Sequence, residues 1–336
     1  MLQQTQVATV LPYWSRWMQT LPDLAALASA PQEKLHKLWE GLGYYRRVRN
    51  LQLAARKIMD EHAGIFPRDY EAILDLPGVG RYTAGAICSI CFNQPTPILD
   101  GNVIRVLTRL FAIGGDPATK PVRDKLWKLA TELVDQASLA SARDNRFGSC
   151  SGLNQSLMEL GALICTPRDP RCGVCPVASS CQARRLRTVT RFPALPPRRS
   201  LTPRSFTAFV LQRADRFLVN QRPFGVVNSH LWEFPGLETT PRHPELKRLA
   251  RSELGILLPP LEPFCSLSHT ITRYRIRLDV LRGTFSPKTK RTVQQVTGSR
   301  WLTLAQLKEL AFTAAHARIR EKLLAPRHSP SCSLSS

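Results

Sequence analysis

Acidic side chains are scarce in this chain of 336 residues: 25 Asp and Glu stand against 47 Lys and Arg, which gives a net charge of +22 at pH 7. Such an excess of positive charge favours a polyanionic partner, most simply nucleic acid. The sequence also lacks a signal-peptide pattern and any apolar run long enough to predict a transmembrane helix. We therefore expect a cytoplasmic protein, associated with the nucleoid if it is bacterial, with two or three domains.

Four of the nine cysteines lie within seventeen residues, with the spacing C-x6-C-x2-C-x5-C: Cys165, Cys172, Cys175 and Cys181. Cytosolic cysteines rarely form disulfides, and sets of thiolates bind zinc or iron-sulfur clusters. Zinc ribbons usually contain two close C-x2-C pairs, whereas this set has one close pair with wider steps on either side. The spacing therefore favours a [4Fe–4S] cluster, with zinc or an inert cysteine cluster as alternatives.

The hydrophobic periodicity divides the chain into regions. Residues 1–181 carry apolar positions three and four apart, which predicts an all-α domain. Residues 182–204 contain seven Arg, four Pro and no acidic residue, which is typical of an extended, cationic linker. Residues 205–325 show a period of two and predict an α+β domain, in which residues 271–280 form one half-buried strand. Residues 326–336 predict a disordered tail, and residues 136–151, which lack periodicity, indicate a surface insertion.

Two loops carry candidate chemistry. Residues 76–84 place Gly78 and Gly80 between two helical patterns, where a tight turn can point backbone N–H groups at a phosphate. A plain connection between helices explains the same glycines. Residues 97–103 contain Asp100 followed by Gly101 and Asn102, and an aspartate in such a loop is often only a helix cap.

The order of these features, with the hairpin first, then the Asp loop and the cysteine loop, resembles the helix-hairpin-helix DNA glycosylases of the endonuclease III superfamily. Residues 1–7, 41–45, 97–102 and the trailing α+β domain look like the adenine DNA glycosylase (MutY) family. This resemblance covers about residues 1–325. It implies an all-α glycosylase domain with an iron-sulfur loop, followed by a Nudix-like lesion-recognition domain.

The resemblance also implies an activity. The protein would act as a monomer on double-stranded DNA that contains an A:8-oxoguanine or A:G mismatch. It would flip adenine into a pocket and hydrolyse its N-glycosidic bond in base excision repair.

The same resemblance implies roles for individual residues. Asp100 would stabilise the cationic sugar, and Asn102 would position Asp100. Tyr82 stands where bifunctional relatives have a lysine nucleophile, and a phenol with an ordinary pKa near ~10 cannot form a Schiff base. A monofunctional glycosylase is therefore expected.

The resemblance also implies DNA contacts. Gln4, Leu42 and Tyr44 would form the wedge that fills the gap left by the flipped base, and Gln155 would contact the adenine. The other contacts would come from Gly78 and Gly80 of the hairpin, Thr5 of the first segment, and Ser268 and His269 of the lesion-reading loop. Ordinary helix core is the alternative for Leu42 and Tyr44, and a solvated loop is the alternative for Ser268 and His269.

The chain departs from the family pattern at several points. Leu267 replaces the usual Phe of the lesion-reading loop. Leu249 and Ser252 occupy acidic positions of the Nudix box, so we do not expect pyrophosphate hydrolysis. The glutamate that serves the family as general acid precedes the residue that matches Met1. We expect a start assigned too far downstream, with an N-terminally truncated paralog as the other explanation. The alternative function is a catalytically silent protein that binds DNA lesions.

Overall fold

The computed structural model describes residues 1–2, 5–143, 149–196, 200–239, 245–271, 273–286 and 298–325. It divides into two compact units: Asn50–Arg198 forms the helical unit, and Met1–Arg49 together with Arg199–Ser336 forms the sheet unit. The predicted tail at 326–336 lies outside the described residues. No described helix combines the length and the apolar character needed to cross a membrane.

Helices make up the first part of the chain, as predicted. Their bounds are α1 Val7–Thr20, α2 Leu24–Ser29, α3 Gln32–Trp39, α4 Arg46–Glu61, α5 Tyr70–Leu74, α6 Arg81–Phe92, α7 Gly101–Leu110, α8 Lys120–Arg143, α9 Cys150–Glu159 and α10 Gln182–Arg185. A π-helical turn at Leu160–Ile164 continues α9, and 3₁₀ turns lie at Cys172–Val174 and Val189–Arg191.

Polar side chains define where several of these helices begin. Asp23, Asp69, Asp100 and Ser149 each precede a helix and accept a hydrogen bond from a backbone N–H of its first turn. Such caps satisfy N–H groups that have no partner within the helix.

The core of the helical unit forms around α7 and α8. Val103 and Leu107 of α7 and Leu126 of α8 are fully buried in it. The N-terminus of α7 is thereby fixed by packing, and Asp100 lies at that N-terminus.

Both ends of the range predicted as a linker contain regular structure. Ala183 in α10 is fully buried, and the first strand begins at Thr202. The range predicted as an insertion overlaps two helices, because α8 continues to Arg143 and α9 begins at Cys150. Residues 144–148 lie outside the described residues.

The part of the sheet unit after residue 198 forms a mixed sheet of seven strands within its described ranges. Its elements are β1 Thr202–Arg213, β2 Arg216–Gln221, β3 Trp232–Glu233, β4 Gly236–Glu238, α11 Leu246–Leu254, β5 Leu261–Ile271, β6 Tyr274–Thr284, β7 Ser299–Thr303, α12 Leu304–Glu309 and α13 Ala314–Leu324. The order is β3-β2-β1-β6-β5, with β4 paired to β1 and β7 paired to β2. β1 and β6 are parallel, and the other pairs are antiparallel.

Both faces of this sheet are covered. Successive residues of a strand point to opposite faces, so Phe209 packs with Ala250 of α11 whereas Val210 packs with Ile319 of α13. The predicted α+β class is confirmed, because this arrangement combines strands with helices on both faces of the sheet.

One strand prediction was wrong. Residues 271–280 do not form a single strand, because β5 ends at Ile271, β6 begins at Tyr274, and these two residues pair across a hairpin. The residues between them include neither Gly nor Pro, so the usual turn signal is missing. The predicted alternation within β6 is correct, since Leu278 and Val280 are buried.

His316 on α13 stays uncharged at neutral pH. Its Nδ1 accepts a hydrogen bond from the Phe234 N–H at 3.0 Å, and burial, followed by the charges of Arg222 and His269, lowers its pKa to about 3. The unfolded chain binds this proton near pH ~6.5. Stability from the neutral imidazole is therefore present above that pH and is lost as the pH falls toward 3.

We predict that His316→Asn reduces the acid sensitivity of the sheet unit. The Asn carbonyl oxygen can accept the Phe234 N–H but does not titrate. Wild-type protein is expected to lose up to about 1.4 kcal/mol more than the variant for each pH unit below 6. Urea unfolding at pH 7, 6 and 5 measures the difference. Parallel losses in the two proteins would contradict the assignment.

Candidate active site and iron-sulfur centre

Asp100 lies at the N-terminus of α7 and accepts two hydrogen bonds. Its Oδ1 accepts from the Val103 N–H at 2.8 Å, and its Oδ2 accepts from Asn102 Nδ2 at 3.0 Å. The first bond is the helix cap that the sequence analysis gave as the alternative role of Asp100. Since an ionised carboxylate has about four acceptor positions, capping leaves acceptor capacity for other chemistry.

Arg105 connects this pair to the following segments. It donates to Asn102 Oδ1 at 2.9 Å, to the Gly161 carbonyl at 2.6 Å and to the Cys165 carbonyl at 2.7 Å. Gly161 belongs to the π-helical turn, and a Cβ there would lie 2.7 Å from the Asn102 Cβ. Close approach of that turn to α7 therefore requires glycine.

Tyr82 lies within electrostatic reach of Asp100. Its hydroxyl donates to Met158 Sδ at 3.5 Å. Burial raises the pKa of Tyr82, and the charge of Asp100 raises it further. The phenol is therefore protonated at neutral pH. The structure brings together the three residues predicted as catalytic, and it adds Arg105, which the sequence analysis missed.

The hairpin has the predicted form. Gly78 has φ +82°, and a Cβ there would lie 2.5 Å from the Asn50 side chain. Gly80 is the N-cap of α6, and no side chain caps this helix. Gln155 is exposed on α9, where its Nε2 donates to Ser151 Oγ at 3.0 Å.

The wedge positions differ from one another in exposure. Leu42 and Tyr44 lie in the turn between α3 and α4, not in a helix. Leu42 is 6% exposed, whereas Tyr44 is 64% exposed and has φ +47°. Thr5 lies in a bend before α1, and its N–H donates to the Leu2 carbonyl. Gln4 lies outside the described residues.

Ser268 and His269 lie on β5, so the prediction that they occupy a loop was wrong. Adjacent residues of a strand point to opposite faces. His269 therefore shares the α13 face with Leu267, which is buried, while Ser268 is exposed on the other face. Among the described residues, His269 Nδ1 has no hydrogen-bond partner. Burial, then the charge of Arg318, lowers the pKa of His269, so its ring is neutral at pH 7.

The four predicted cysteine ligands line one cavity. Burial raises the pKa of Cys172, and the neighbouring Cys165, Cys181 and Cys175 raise it further. Because four thiolates would repel one another, this site needs cationic charge to hold them. In the described ranges, no group of three or more His, Cys, Asp or Glu is close enough to hold a single metal ion. Four thiolates around one cavity form a donor set that fits an iron-sulfur cluster.

Arg109, which the sequence analysis also missed, fixes the cysteine loop to α7. It is 2% exposed. It donates to the Thr166 carbonyl at 2.8 Å, to Cys165 Sγ at 3.3 Å and to the Phe192 carbonyl at 3.0 Å. Arg105 and Arg109 are four residues apart on one face of α7, and that spacing was the available signal.

Three family descriptions match parts of the chain. Residues 1–132 match the HhH-GPD superfamily base excision DNA repair protein, residues 165–181 match the iron-sulfur binding domain of endonuclease III, and residues 207–322 match the NUDIX domain. Adenine DNA glycosylase from Rattus norvegicus is 38% identical over 95% of this chain and 69% of its own length. The chain belongs to the adenine DNA glycosylase family.

A second relative agrees with this assignment in sequence. Adenine DNA glycosylase from Homo sapiens is 36% identical over 95% of this chain and 66% of its own length. The chain thus spans about two thirds of the length of both relatives. A solved thermostable thymine-DNA glycosylase is 28% identical and covers 55% of this chain and 80% of its own, with a TM-score of 0.47.

Membership in the adenine DNA glycosylase family establishes several properties. The chain is a DNA-binding hydrolase of base excision repair. It combines a helix-hairpin-helix domain with a C-terminal Nudix-like domain. Its cofactor is a [4Fe–4S] cluster, and Cys165, Cys172, Cys175 and Cys181 are the residues that would hold it. The predicted family, fold class and cofactor are confirmed.

We predict that Cys175→Ser lowers the iron content, because a serine oxygen is a poor replacement for a thiolate ligand. Wild-type protein is expected to carry about four irons per chain, and the variant fewer than half as many. Cys91→Ser is the matched control, since Cys91 is an exposed cysteine on α6. Iron and acid-labile sulfide assays measure the effect. Zinc without sulfide in wild-type protein would contradict the cluster assignment.

Proposed function

We propose that this chain is a monofunctional, adenine-specific DNA glycosylase that removes adenine paired with 8-oxoguanine or guanine. The observation that carries the proposal is the carboxylate of Asp100, held by Asn102, which Arg105 holds in turn. Tyr82, a protonated phenol, lies nearby. This arrangement presents one oriented anion, with a phenol and not an amine at position 82.

The proposed chemistry is hydrolysis through a cationic sugar. The bond between C1′ and N9 of adenine breaks, and its electron pair leaves with the base. Asp100 stabilises the positive charge that develops on the sugar, as preorganised groups do for a transition state. Water then forms a bond to C1′ and releases a proton, while the departing adenine takes up a proton from an acid.

The proposed enzyme is monofunctional because it lacks an amine at the position of Tyr82. A lyase step requires an amine that forms a Schiff base with C1′. Burial and the charge of Asp100 keep the Tyr82 phenol protonated, so it is also a poor nucleophile. The product is then an intact strand with an abasic site.

DNA recognition is proposed to use both units. In the helical unit, the glycine hairpin and the uncapped N-terminus of α6 bind a phosphate through backbone N–H groups. In the sheet unit, the exposed ring of Tyr44 stacks in the duplex, and the half-buried imidazole of His269 contacts the base opposite adenine. The protein acts as a monomer in the cytoplasm.

A lesion-binding protein without activity is the second candidate. The observation that favours it is that Asp100 supplies the single carboxylate of the network with Asn102 and Arg105 in the described part of the chain. Cleavage by two carboxylates, one acid and one anion, is the usual arrangement for a glycosidic bond.

We predict that Asp100→Asn lowers the rate of adenine excision by about 10²–10³ while DNA binding is retained. Single-turnover assays on an 8-oxoguanine:A duplex, with alkaline cleavage of the abasic strand, measure the rate. Asp69→Asn is the matched control, because Asp69 also caps a helix through its side chain. Binding without excision by wild-type protein would support the lesion binder instead.

We predict that His269→Ala weakens binding to 8-oxoguanine:A duplex by about 1–3 kcal/mol, the usual worth of a base-reading contact. Affinity for G:A duplex should be unchanged, because the contact is proposed to be specific for the lesion. Fluorescence anisotropy on both duplexes measures the two affinities. Equal losses would mean that His269 serves the fold and not recognition.

A further inference from the structure

The carboxylate of Glu40 joins the end of α3 to the region around α13. Arg320 donates to it through Nη1 at 2.9 Å and Nη2 at 3.2 Å. Lys37 Nζ donates at 2.8 Å, and the Phe312 N–H donates at 2.8 Å. The side chains of Glu40 and Arg320 are 14% and 9% exposed. This is an ion pair with its hydrogen bonds satisfied, between residues 280 positions apart.

Such a pair fixes geometry more than it adds stability. Removing two charges from water costs about as much as their attraction returns, and apolar replacements of both partners are often tolerated. The four donors come from defined directions, however, so they hold the carboxylate in one place. The backbone that carries Glu40 is held with it.

That backbone leads directly into the wedge turn, residues 41–45, which contains the exposed Tyr44. The turn is tight at its start, since Gly41 has φ +103° and a Cβ there would collide with the Tyr13 hydroxyl. Arg47 holds the other end. It donates to the Leu42 carbonyl at 3.0 Å, and its guanidinium lies over the Tyr44 ring at 5.7 Å.

The other end of this connection is α13, which also lies near the residue proposed to read the lesion. His316 precedes Arg320 by one helical turn, so both lie on the same face of α13. Leu267, which lies two residues before His269 on the same face of β5, packs in one core cluster with Ile319 of α13. One helix therefore contacts Glu40 through Arg320 and packs against the strand that carries His269.

We propose that Glu40 is a positioning residue for lesion recognition. Its ion pair with Arg320 fixes the wedge turn to α13, and through α13 to His269. Insertion of Tyr44 into the duplex and reading of the opposite base then occur as one event. This inference rests on the proposed function, from which the roles of Tyr44 and His269 are taken.

Loss of the connection between the wedge turn and His269 should reduce the selectivity for 8-oxoguanine:A over G:A duplex and leave the excision chemistry unchanged. Glu40→Gln is expected to lower the ratio of affinities for 8-oxoguanine:A over G:A by about tenfold, a typical size for coupling between sites. The single-turnover excision rate at saturating enzyme should stay at the wild-type value, because Asp100 and its partners lie in the helical unit.

Three further variants test the inference beside wild-type protein and Glu40→Gln. Arg320→Lys keeps the charge and is expected to keep most of the selectivity. The double variant Glu40→Met, Arg320→Met removes the ion pair with apolar side chains, so it provides a folded protein if Glu40→Gln is unstable. Glu238→Gln breaks a surface pair between Arg204 and Glu238 and should change nothing.

The deciding measurement is a double-mutant cycle between Glu40→Gln and His269→Ala on the affinity ratio. If Glu40 acts through His269, the double variant is no less selective than His269→Ala alone. The inference would be overturned if the losses of selectivity caused by Glu40→Gln and His269→Ala multiply independently. It would also be overturned if Glu40→Gln, or the folded Glu40→Met, Arg320→Met variant, kept wild-type selectivity. Absence of selectivity in wild-type protein would instead overturn the proposed function.

Discussion

The buried arginines of α7 are the constraint on which the helical unit depends. Arg105 and Arg109 are 9% and 2% exposed. Their acceptors are backbone carbonyls, the Asn102 amide oxygen and the Cys165 thiol, not carboxylates. Two buried guanidinium groups need negative charge nearby, because an uncompensated buried charge is strongly destabilising. The carboxylate of Asp100 supplies part of it near Arg105, and the thiolates of the iron-sulfur loop would add to it, so α7 and a bound cluster would stabilise each other.

This constraint connects the cluster to the chemistry. Asp100 begins α7, and Arg109 lies near its end. Because a helix of ten residues behaves as a rigid rod, a loop attached along its length also fixes the carboxylate at its N-terminus. In the proposed function the cluster would contribute by holding the carbonyls that Arg105 and Arg109 bind, without a redox step.

The sequence was sufficient to predict features that depend only on the local spacing of residues. Four closely spaced cysteines and the glycines of the hairpin are local patterns, and the alternation of Leu278 and Val280 follows from the strand period. The sequence did not predict features that depend on a contact with a residue far away in the chain. The hairpin between β5 and β6 has no Gly or Pro to mark it, and the Glu40–Arg320 pair joins residues that no periodicity relates. Helix periodicity shows which face is apolar but not what covers it, so it did not group residues 1–49 with the sheet.

The structure shows where Leu267, which replaces the usual Phe of the family, lies. Leu267 is 4% exposed and packs in the core between the sheet and α13. A side chain at this position faces the core, so an aromatic residue there would pack against α13 and would not stack on a base. Replacement of Phe by Leu is then a change of volume within an apolar core, which such cores tolerate when neighbours adjust. In the proposed function, replacement of Phe by Leu then removes no base contact. Recognition in the proposed function therefore depends on His269, which is half-buried where Leu267 is buried.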